Sequence, residues 1–526
     1  MKFRTGIVLA ALGLAGSTGL GQYSPPPMPR GGDNPPSLSS QEPPQPIDLR
    51  AALRLGTTTN LDIAFARATL DLARASRQRA DSRILPNVGT GATYVDHDGR
   101  IQQANGNILN VNRTSLAVGV TPTLSLDFAD AIFLPLAARQ LEQSALAATV
   151  RTTNDTAVAI ADAYLAVLRG QRRLERVNLV LSYLTDEKPA PQRSDSKGLY
   201  PLVRDVVESG GKDAFRSDLA RLKVEVIRRN EERTVIEQDL RVASAELARL
   251  LRLDPQTRFS PVEDRWAAVP LPGADWLKLD VGTLITFALG NRPEITEAEA
   301  LARYAVERER GARYRPYLPV VQVAYFAGGF GGGPLRDPRS KITQDLNGPI
   351  DKPVSPTDEI GRFGHRSDLA LTLGWQLQGF GLGNVAEIRE ARAVHTQAEI
   401  RLLSVRERVS AQVVQAHAAV VQNLERLWTS WEALADKNGK PAGPVYESLR
   451  LNFARFRGGE GRPLEALESI RGLNDILEGY ANGLSDYDRT HVRLLLALGL
   501  PAAALYNPEC MPPPPQVSTT PVRRNP

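Results

Sequence analysis

"LALTLGWQLQGFG", residues 369–381, alternates between apolar and polar residues with a period of two. Leu369, Leu371, Leu373, Trp375 and Leu377 share one face, and the residues between them are small or polar. Successive side chains of a strand point to opposite faces, so the pattern predicts a strand over 369–377. In a soluble sandwich the apolar face would cover a core; in a membrane barrel it would meet lipid, with the polar face lining a lumen.

The bulk composition allows a large buried core. The chain has 526 residues, 42% of them hydrophobic, and a mean hydropathy of −0.25. This length fits several ordinary domains or one elongated domain. A net charge of +5 is mild, and the basic residues are spread along the chain. We therefore expect no nucleic-acid partner.

The first 21 residues have the pattern of a secretory signal peptide. Lys2 and Arg4 precede a short apolar run, and small residues at Gly19 and Gly21 fit a cleavage site. A buried N-terminal helix is the less favoured alternative, because three prolines follow at 25–27. Beyond this segment the sequence contains no apolar run of membrane-helix length. An exported chain of this kind is expected to be periplasmic, secreted or a membrane β-barrel.

Two Pro-rich segments flank the patterned part of the chain. Residues 22–47 and 502–526 are rich in Pro, Ser, Gln and Gly, and we expect a disordered linker and a tail. Cys510 is the only cysteine, so no intrachain disulfide can form. The sequence assigns no role to this thiol.

The longest helical pattern begins at Ile388 and ends at Leu434. Its apolar residues recur about every 3.5 positions, which is the coiled-coil period. A helix from Leu382 to Asp436 would be about 80 Å long. Further helical patterns cover 48–83, 129–186, 214–253, 281–314 and 465–498. Further strand patterns cover 85–94, 116–126 and 317–326.

The order of these elements occurs twice. Leu116 matches Leu369, Pro189 matches Pro441, Gly210 matches Gly459, and Pro255 matches Pro501. We therefore expect two structural repeats, 48–255 and 281–501, joined by a segment over 256–280.

Four strands per chain are too few to close a membrane barrel. The smallest such barrels need about eight strands, and open edges cannot lie in lipid. If the polar faces line a lumen, several copies must share one barrel. A dimer would leave little pore, whereas a trimer of twelve strands would enclose a conduit.

Three stretches, taken in order, resemble one family, the TolC-like outer membrane efflux proteins or outer membrane factors. The resemblance covers roughly residues 48–501. It rests on "LGNRPEITEAEALARY" from Leu289, "LTLGWQLQGFGLGNVAEIREARA" from Leu371 and "ESLRLNFARFRGGEGRPLEALESIRG" from Glu447.

This resemblance implies a mainly α fold with a membrane β region. Three copies would form a twelve-stranded outer membrane barrel, continued by an α-helical tunnel across the periplasm. The channel would passively export cargo that an inner membrane pump or ABC transporter delivers through a periplasmic adaptor. The apolar face of residues 369–377 would then meet lipid, and 97–112 and 331–366 would be the outward loops. The sequence does not identify the cargo, the adaptor or the pump.

The resemblance also implies a gate at the periplasmic end of the tunnel. In "RGGEGRPLEALE", Pro463 starts a helix that carries Glu465 and Glu468. A spacing of three places both carboxylates on one helix face. Threefold symmetry would bring six of them to the axis, where they would repel one another and favour cations. Alternatively, the two residues only complement the dipole at the helix N-terminus.

Two Gly-containing tips are expected to contact the adaptor. One contains Gly210, Gly211 and Lys212, and the other contains Gly459, Gly461 and Arg462. Each is equally compatible with a plain solvated turn. A Pro-rich interruption precedes each tip, at 188–201 and 438–444.

Catalytic and ligand-binding patterns are scarce. The five histidines are scattered, and the glycines of "GGFGGGP" do not fit a nucleotide-binding loop. We therefore expect no enzyme activity, no catalytic residues, no metal and no cofactor. The competing interpretation is a soluble periplasmic coiled-coil scaffold in which the strands form a small sheet.

Overall fold

The computed structural model describes residues 43–102, 106–186, 197–210, 216–334, 363–436 and 439–514. The described residues from Pro44 onward belong to one compact unit. The strands are β1 (Gln45–Ile47), β2 (Asn87–Gln102), β3 (Ile108–Asp127), β4 (Phe259–Pro261), β5 (Val320–Pro334) and β6 (Gly364–Gly374). The helices are α1 (Leu49–Thr59), α2 (Leu61–Asp81), α3 (Phe128–Thr185), α4 (Leu199–Glu208), α5 (Arg216–Leu251), α6 (Val281–Asn291), α7 (Pro293–Tyr314), α8 (Leu382–Leu434), α9 (Pro444–Arg457) and α10 (Pro463–Ala497). Among the described residues, no helix has the length and apolar character needed to cross a membrane.

Four strands form one antiparallel sheet in the order β2-β3-β5-β6. Asn87 lies opposite Thr123, Asp127 opposite Val320, and Val320 opposite Gly374. Thus each half of the chain contributes one hairpin, and β3 and β5 join the two hairpins. β2 and β6 are the outer strands of this sheet.

Two helices are much longer than the others. α3 has 58 residues and α8 has 53, which corresponds to about 80–90 Å each at 1.5 Å per residue. The Asp127 carboxylate caps α3 by accepting from the N–H groups of Ala129 and Asp130, at 2.9 and 3.2 Å. The coiled-coil period therefore predicted the extent of α8 to within two residues.

Two predicted helices are divided in the structure. The pattern over 48–83 gives α1 and α2, because Asn60 takes an extended conformation and caps α2 by accepting from the Asp62 N–H at 2.7 Å. The pattern over 281–314 gives α6 and α7, because Pro293 starts a new helix. Apolar spacing continues across both breaks, so periodicity did not reveal them.

The two halves are equivalent in their element order. Helix, hairpin, long helix, short helix and return helix occur as α2 to α5 and again as α7 to α10. Gly198 and Gly443 precede the short helices in both halves. A Cβ on either glycine would lie 2.8 or 2.7 Å from the carbonyl carbon of Leu184 or Leu434, respectively. Only glycine tolerates this approach, so the start of each short helix can lie directly against the end of the long helix that precedes it.

The main core lies where both halves meet the segment between them. It contains Leu53, Tyr164, Trp276, Leu495 and Leu505, each at most 3% exposed. A second cluster lies among α3, α4, α9 and α10, with Leu184, Leu199, Phe453 and Leu467. Burial of such side chains stabilises the fold by about 2 kcal/mol each.

The ends of the predicted linker and tail are ordered. Residues 45–47 form β1, which pairs in parallel with β4 of the segment between the repeats. Ala502, Ala504 and Leu505 are buried, although they fall in the predicted tail. Residues 1–42 and 515–526, which include the predicted signal peptide, lie outside the described residues.

Candidate functional site

The sheet has one apolar and one polar face. Leu371, Val323 and Leu124 lie opposite one another across β6, β5 and β3, as do Leu373, Val321 and Leu126. The adjacent row contains Thr372, Gln322 and Ser125. Leu369, Leu371 and Leu373 are 71%, 70% and 57% exposed. A contiguous exposed apolar face of this kind is typical of a surface that contacts another protein or a membrane.

The predicted strand extends too far at its C-terminal end. β6 ends at Gly374, opposite Val320 at the start of β5, so Trp375 and Leu377 pair with no strand among the described residues. Both side chains remain exposed, at 59% and 63%. They lead into Gly379, Phe380 and Gly381, all in the left-handed region with φ of 52°, 55° and 91°. Only Leu369, Leu371 and Leu373 therefore belong to the strand.

The hairpins also differ from their predicted bounds. β2 continues to Gln102 and β3 begins at Ile108, so most of the loop predicted over 97–112 is strand. β5 continues to Pro334 and β6 begins at Gly364. Residues 335–362, which are most of the second predicted loop, lie outside the described residues.

A charged cluster fixes the helices where they leave the sheet. Arg315, which follows α7, pairs with Asp130 at the start of α3 and with Glu387 of α8, the latter at 2.8 Å. Arg83, which follows α2, lies 3.0 Å from Asp130. These pairs hold both long helices in fixed positions at their sheet-proximal ends. No local sequence pattern indicates these pairs, because they join residues far apart in the chain.

The two tips have equivalent turns. Gly210 and Gly459 have φ of +74° and +76°, which favours glycine at both positions. Gly461 is buried and Arg462 is exposed as the residue before α10. Gly211 and Lys212 lie outside the described residues. Gly210 thus lies just after α4, and Gly459, Gly461 and Arg462 lie between α9 and α10. Their contact with an adaptor stays a prediction.

Glu465 and Glu468 border one open groove between α9 and α10. The groove has a volume of about 610 Å³ and also includes Ser448, Asn452 and Arg455. Arg455 lies 3.2 Å from Glu465, and Arg471 lies 3.4 Å from Glu468. Both carboxylates are exposed, with side-chain exposures of 43% and 70%. They share one helix face, and each has a cationic neighbour.

A buried carboxylate connects this region to α5. Glu225 is 2% exposed and accepts from Arg471 of α10 at 2.9 Å and from Arg229 of its own helix at 2.8 Å. Burial raises the pKa of Glu225, but the hydrogen bonds from Arg229 and Arg471 outweigh it, and the net pKa is lowered. Glu468, Arg471 and Glu225 therefore form one charged chain across two helices.

A second buried ion pair holds the segment between the repeats. Arg172 of α3 and Asp488 of α10 are both fully buried, with 2.9 Å between Nη2 and Oδ2. Arg172 also donates to the carbonyl oxygens of Arg265 and Ala267, and Asp488 accepts from the Val269 N–H. These contacts satisfy both charges and fix residues 265–269 against two helices. No local sequence pattern reveals either network, because each joins helices that are far apart in the chain.

The histidines do not gather into a site. His395 contacts Glu309 at 2.8 Å and Glu399 at 3.3 Å. Within the described residues, no group of three or more His, Cys, Asp or Glu side chains has an arrangement that could hold a metal ion.

Comparison with solved structures identifies the fold. No family model matches the chain, and no curated protein matches it. The outer-membrane channel OprN has a TM-score of 0.66 at 18% identity, covering 86% of this chain and 89% of its own. The outer membrane protein VceC of Vibrio cholerae has a TM-score of 0.66 at 16% identity, and the match covers 86% of this chain and 96% of VceC. The MtrE outer membrane channel of Neisseria gonorrhoeae, in its open state, has a TM-score of 0.62 at 16% identity, and the match covers 86% of this chain and 88% of MtrE.

OprN and MtrE are outer-membrane channels, and VceC is an outer membrane protein. Each shared region includes most of both chains, so the likeness extends over the sheet and the long helices together. The chain therefore has the fold of these solved structures. The mainly helical architecture with an antiparallel sheet that the resemblance implied is confirmed, and the trimeric twelve-stranded barrel stays a prediction.

Proposed function

We propose that this protein is the outer membrane channel subunit of a tripartite efflux or type I secretion system. Three copies share one twelve-stranded barrel, and their long helices continue it as a tunnel in the periplasm. The channel is a passive conduit, and its cargo is chosen by the transporter that supplies it. The N-terminal 21 residues direct export, and the protein is localised in the outer membrane.

One observation carries this proposal most directly. The sheet β2-β3-β5-β6 has an exposed apolar face, a polar face and two outer strands. An open strand edge cannot lie in hydrocarbon, because unpaired N–H and C=O groups cost several kcal/mol each there. Copies that join β6 of one chain to β2 of the next satisfy both edges. Lipid covers the row containing Leu371, and water fills the lumen beside Thr372.

Three is the copy number that gives a conduit. Two copies supply eight strands, and a barrel of about eight strands is filled by its own side chains. Three copies supply twelve strands and leave an open lumen. The likeness to outer-membrane channels over 86% of the chain supports the same arrangement.

The periplasmic end supplies the gate and the docking surface. Glu465 and Glu468 form the gate, and the tips at 210–212 and 459–462 contact a periplasmic adaptor. The adaptor connects the channel to an inner membrane pump or ABC transporter. The paired arginines Arg455 and Arg471 hold the gate carboxylates on the α9–α10 face.

Membrane extraction and conductance test this proposal. The full chain, expressed with its signal segment, should appear in the outer membrane fraction and require detergent for extraction. Purified protein should migrate differently before and after heating and should form conducting channels in planar bilayers. Full recovery in the soluble periplasm would instead support the coiled-coil scaffold.

A further inference from the structure

The long helices α3 and α8 are equivalent, but α8 has fewer neighbours. α3 packs against α2 and α5 of its own half and against α7 and α10 of the other half. α8 packs against α7 and α10, which belong to its own half, and has no comparable packing against α2 or α5 in the described part of the chain. Accordingly, 21 residues of α3 are buried, compared with five of α8.

Two ion pairs fix which residues of the halves correspond. Arg77 of α2 pairs with Glu142 of α3 at 2.8 Å, and Glu309 of α7 contacts Arg392 of α8 at 3.5 Å. Arg77 of α2 thus corresponds to Glu309 of α7, and Glu142 of α3 corresponds to Arg392 of α8, with the two charges exchanged. The same alignment matches the buried residues Ile63, Ala73 and Ala80 of α2 with the buried residues Ile295, Ala305 and Ala312 of α7.

A third ion pair crosses between the halves. Arg151 of α3 lies 3.2 Å from Glu297 of α7. In the alignment above, Arg151 corresponds to Arg401 of α8, and Glu297 corresponds to Phe65 of α2. Arg401 is exposed and has no ion-pair partner among the described residues, and Phe65 is 76% exposed. The equivalent of this contact is therefore not made within one chain.

Phe65 belongs to an exposed apolar stripe on α2. The stripe has helical spacing and consists of Leu61, Phe65, Ala68, Leu72 and Ala75. The corresponding residues of α7 are buried or half-buried: Pro293, Glu297, Ala300, Tyr304 and Glu307. The α2 stripe thus occupies the place of a packed surface without having a packing partner in its own chain.

We infer that α2 of one copy packs against α8 of a second copy, with the Arg401 guanidinium on the ring of the second copy's Phe65. This inference rests on the proposed function, because it requires copies that share a barrel. α2 leads into the outer strand β2, and α8 follows the outer strand β6. One join between copies therefore closes the sheet and covers the α2 stripe together. A second copy is the occupant because it repeats the relation between the two halves.

The contact replaces an ion pair by a cation on an aromatic face. A guanidinium within about 6 Å of a phenyl ring is attracted by its negative face. Phe65→Glu would recreate the Arg151–Glu297 pair between copies, whereas Phe65→Arg would place two cations together. The two substitutions remove the same ring but have opposite electrostatic consequences at this seam.

Native mass spectrometry of the full chain in detergent, over a dilution series, measures the result. Phe65→Glu should keep the trimer-to-monomer ratio of the unaltered protein within about twofold. Phe65→Arg should lower the ratio about fivefold or more. Adding Arg401→Glu to Phe65→Arg should restore it. Gln78→Arg, on an exposed position of α2 away from the stripe, is the matched control and should leave the ratio unchanged.

Crosslinking gives a measurement that does not depend on the strength of the contact. In a Cys510→Ser background, Phe65→Cys combined with Arg401→Cys should give covalent dimers and trimers with a short bismaleimide. Each single cysteine should give none. Replacing Arg401→Cys by Arg303→Cys, which is exposed on α7, should also give none.

The outcomes separate this inference from the proposed function. Equal loss with Phe65→Glu and Phe65→Arg would mean that the ring meets lipid or another apolar partner, and it would overturn the inference. A stable trimer that neither responds to these substitutions nor crosslinks would overturn the inference but not the channel. An unaltered protein that stays monomeric at every concentration would overturn the proposed function itself.

Discussion

Arg471 of α10 and Glu225 of α5 form an ion pair of 2.9 Å, in which the carboxylate is 2% exposed and the guanidinium reaches towards the exposed Glu468. The proposed gate helix is thereby tied to the return helix of the other half.

Glu225→Ala should destabilise the helical region. The substitution leaves Arg229 without its buried partner and breaks the contact between α5 and α10, and we expect a loss of about 2 kcal/mol. The midpoint of guanidinium unfolding, followed by far-ultraviolet CD, measures it. Glu231→Ala, an exposed position on the same helix, should change the free energy of unfolding by less than about 0.5 kcal/mol. Equal effects of the two variants would show that the buried pair has no special role.

The effect of Glu225→Ala should depend on pH. Because the folded pKa of Glu225 is lowered, its contribution is present above its unfolded pKa of 4.5 and is lost as the pH falls through the folded pKa. The difference in the free energy of unfolding between the unaltered protein and the variant should therefore be constant near neutral pH and shrink below about pH 4.5. A difference that persists at pH 3 would be inconsistent with an ionised carboxylate.

His491 should make the protein acid-sensitive at a higher pH. Its side chain is 3% exposed, its Nε2 has no hydrogen-bond partner in the described part of the chain, and burial lowers its pKa from 6.5 to about 4. The unfolded chain takes up this proton first, so stability is lost as the pH falls from 6.5 towards 4. The loss from this group amounts to about 3 kcal/mol. In His491→Leu, the unfolding midpoint should no longer fall between pH 6.5 and 4 because of this group. A variant whose midpoint depends on pH in the same way as that of the unaltered protein would contradict the role of His491.

Adjacent residues of β6 should respond oppositely to the same substitution. Leu371→Arg places a charge on the face proposed to meet lipid and should lower barrel stability by about 2–4 kcal/mol. Thr372→Arg places it on the polar face and should leave assembly intact while reducing cation conductance. Heat-modifiable migration and planar-bilayer recordings measure the two effects. Reversed outcomes would mean that the faces have been assigned the wrong way round.

The sequence was most informative where one physical constraint acted over many residues. The 3.5-residue period specified α8, and the alternation from Leu369 to Leu373 specified the apolar face of β6. It failed at Trp375 and Leu377, because a strand ends where its partner ends, and β5 begins opposite Gly374. Alternation within one segment contains no information about the length of the neighbouring strand.

The candidate site was less predictable than the fold. Gly210 and Gly459 were found because a left-handed turn favours glycine and so leaves a signature in the sequence. Arg172 and Asp488 are separated by most of the chain, and a charged residue in a helical pattern is usually exposed. Their burial depends on how α3 and α10 pack, which no local pattern records.

The proposed gate is tested by removing its charges. Glu465→Ala together with Glu468→Ala should raise single-channel conductance and weaken cation preference in planar bilayers, because fewer carboxylates remain at the axis. Glu460→Ala, in the adjacent exposed turn, is the matched control and should leave both quantities unchanged. Traces identical to those of the unaltered channel would exclude Glu465 and Glu468 from the gate.

The central claim is that copies of this chain share one barrel, and the mass of the purified complex tests it most directly. Native mass spectrometry of detergent-extracted protein should give a mass close to three times that of one mature chain. A monomer that stays soluble without detergent would contradict the claim, because the apolar row of Leu369, Leu371 and Leu373 would then be stable in water.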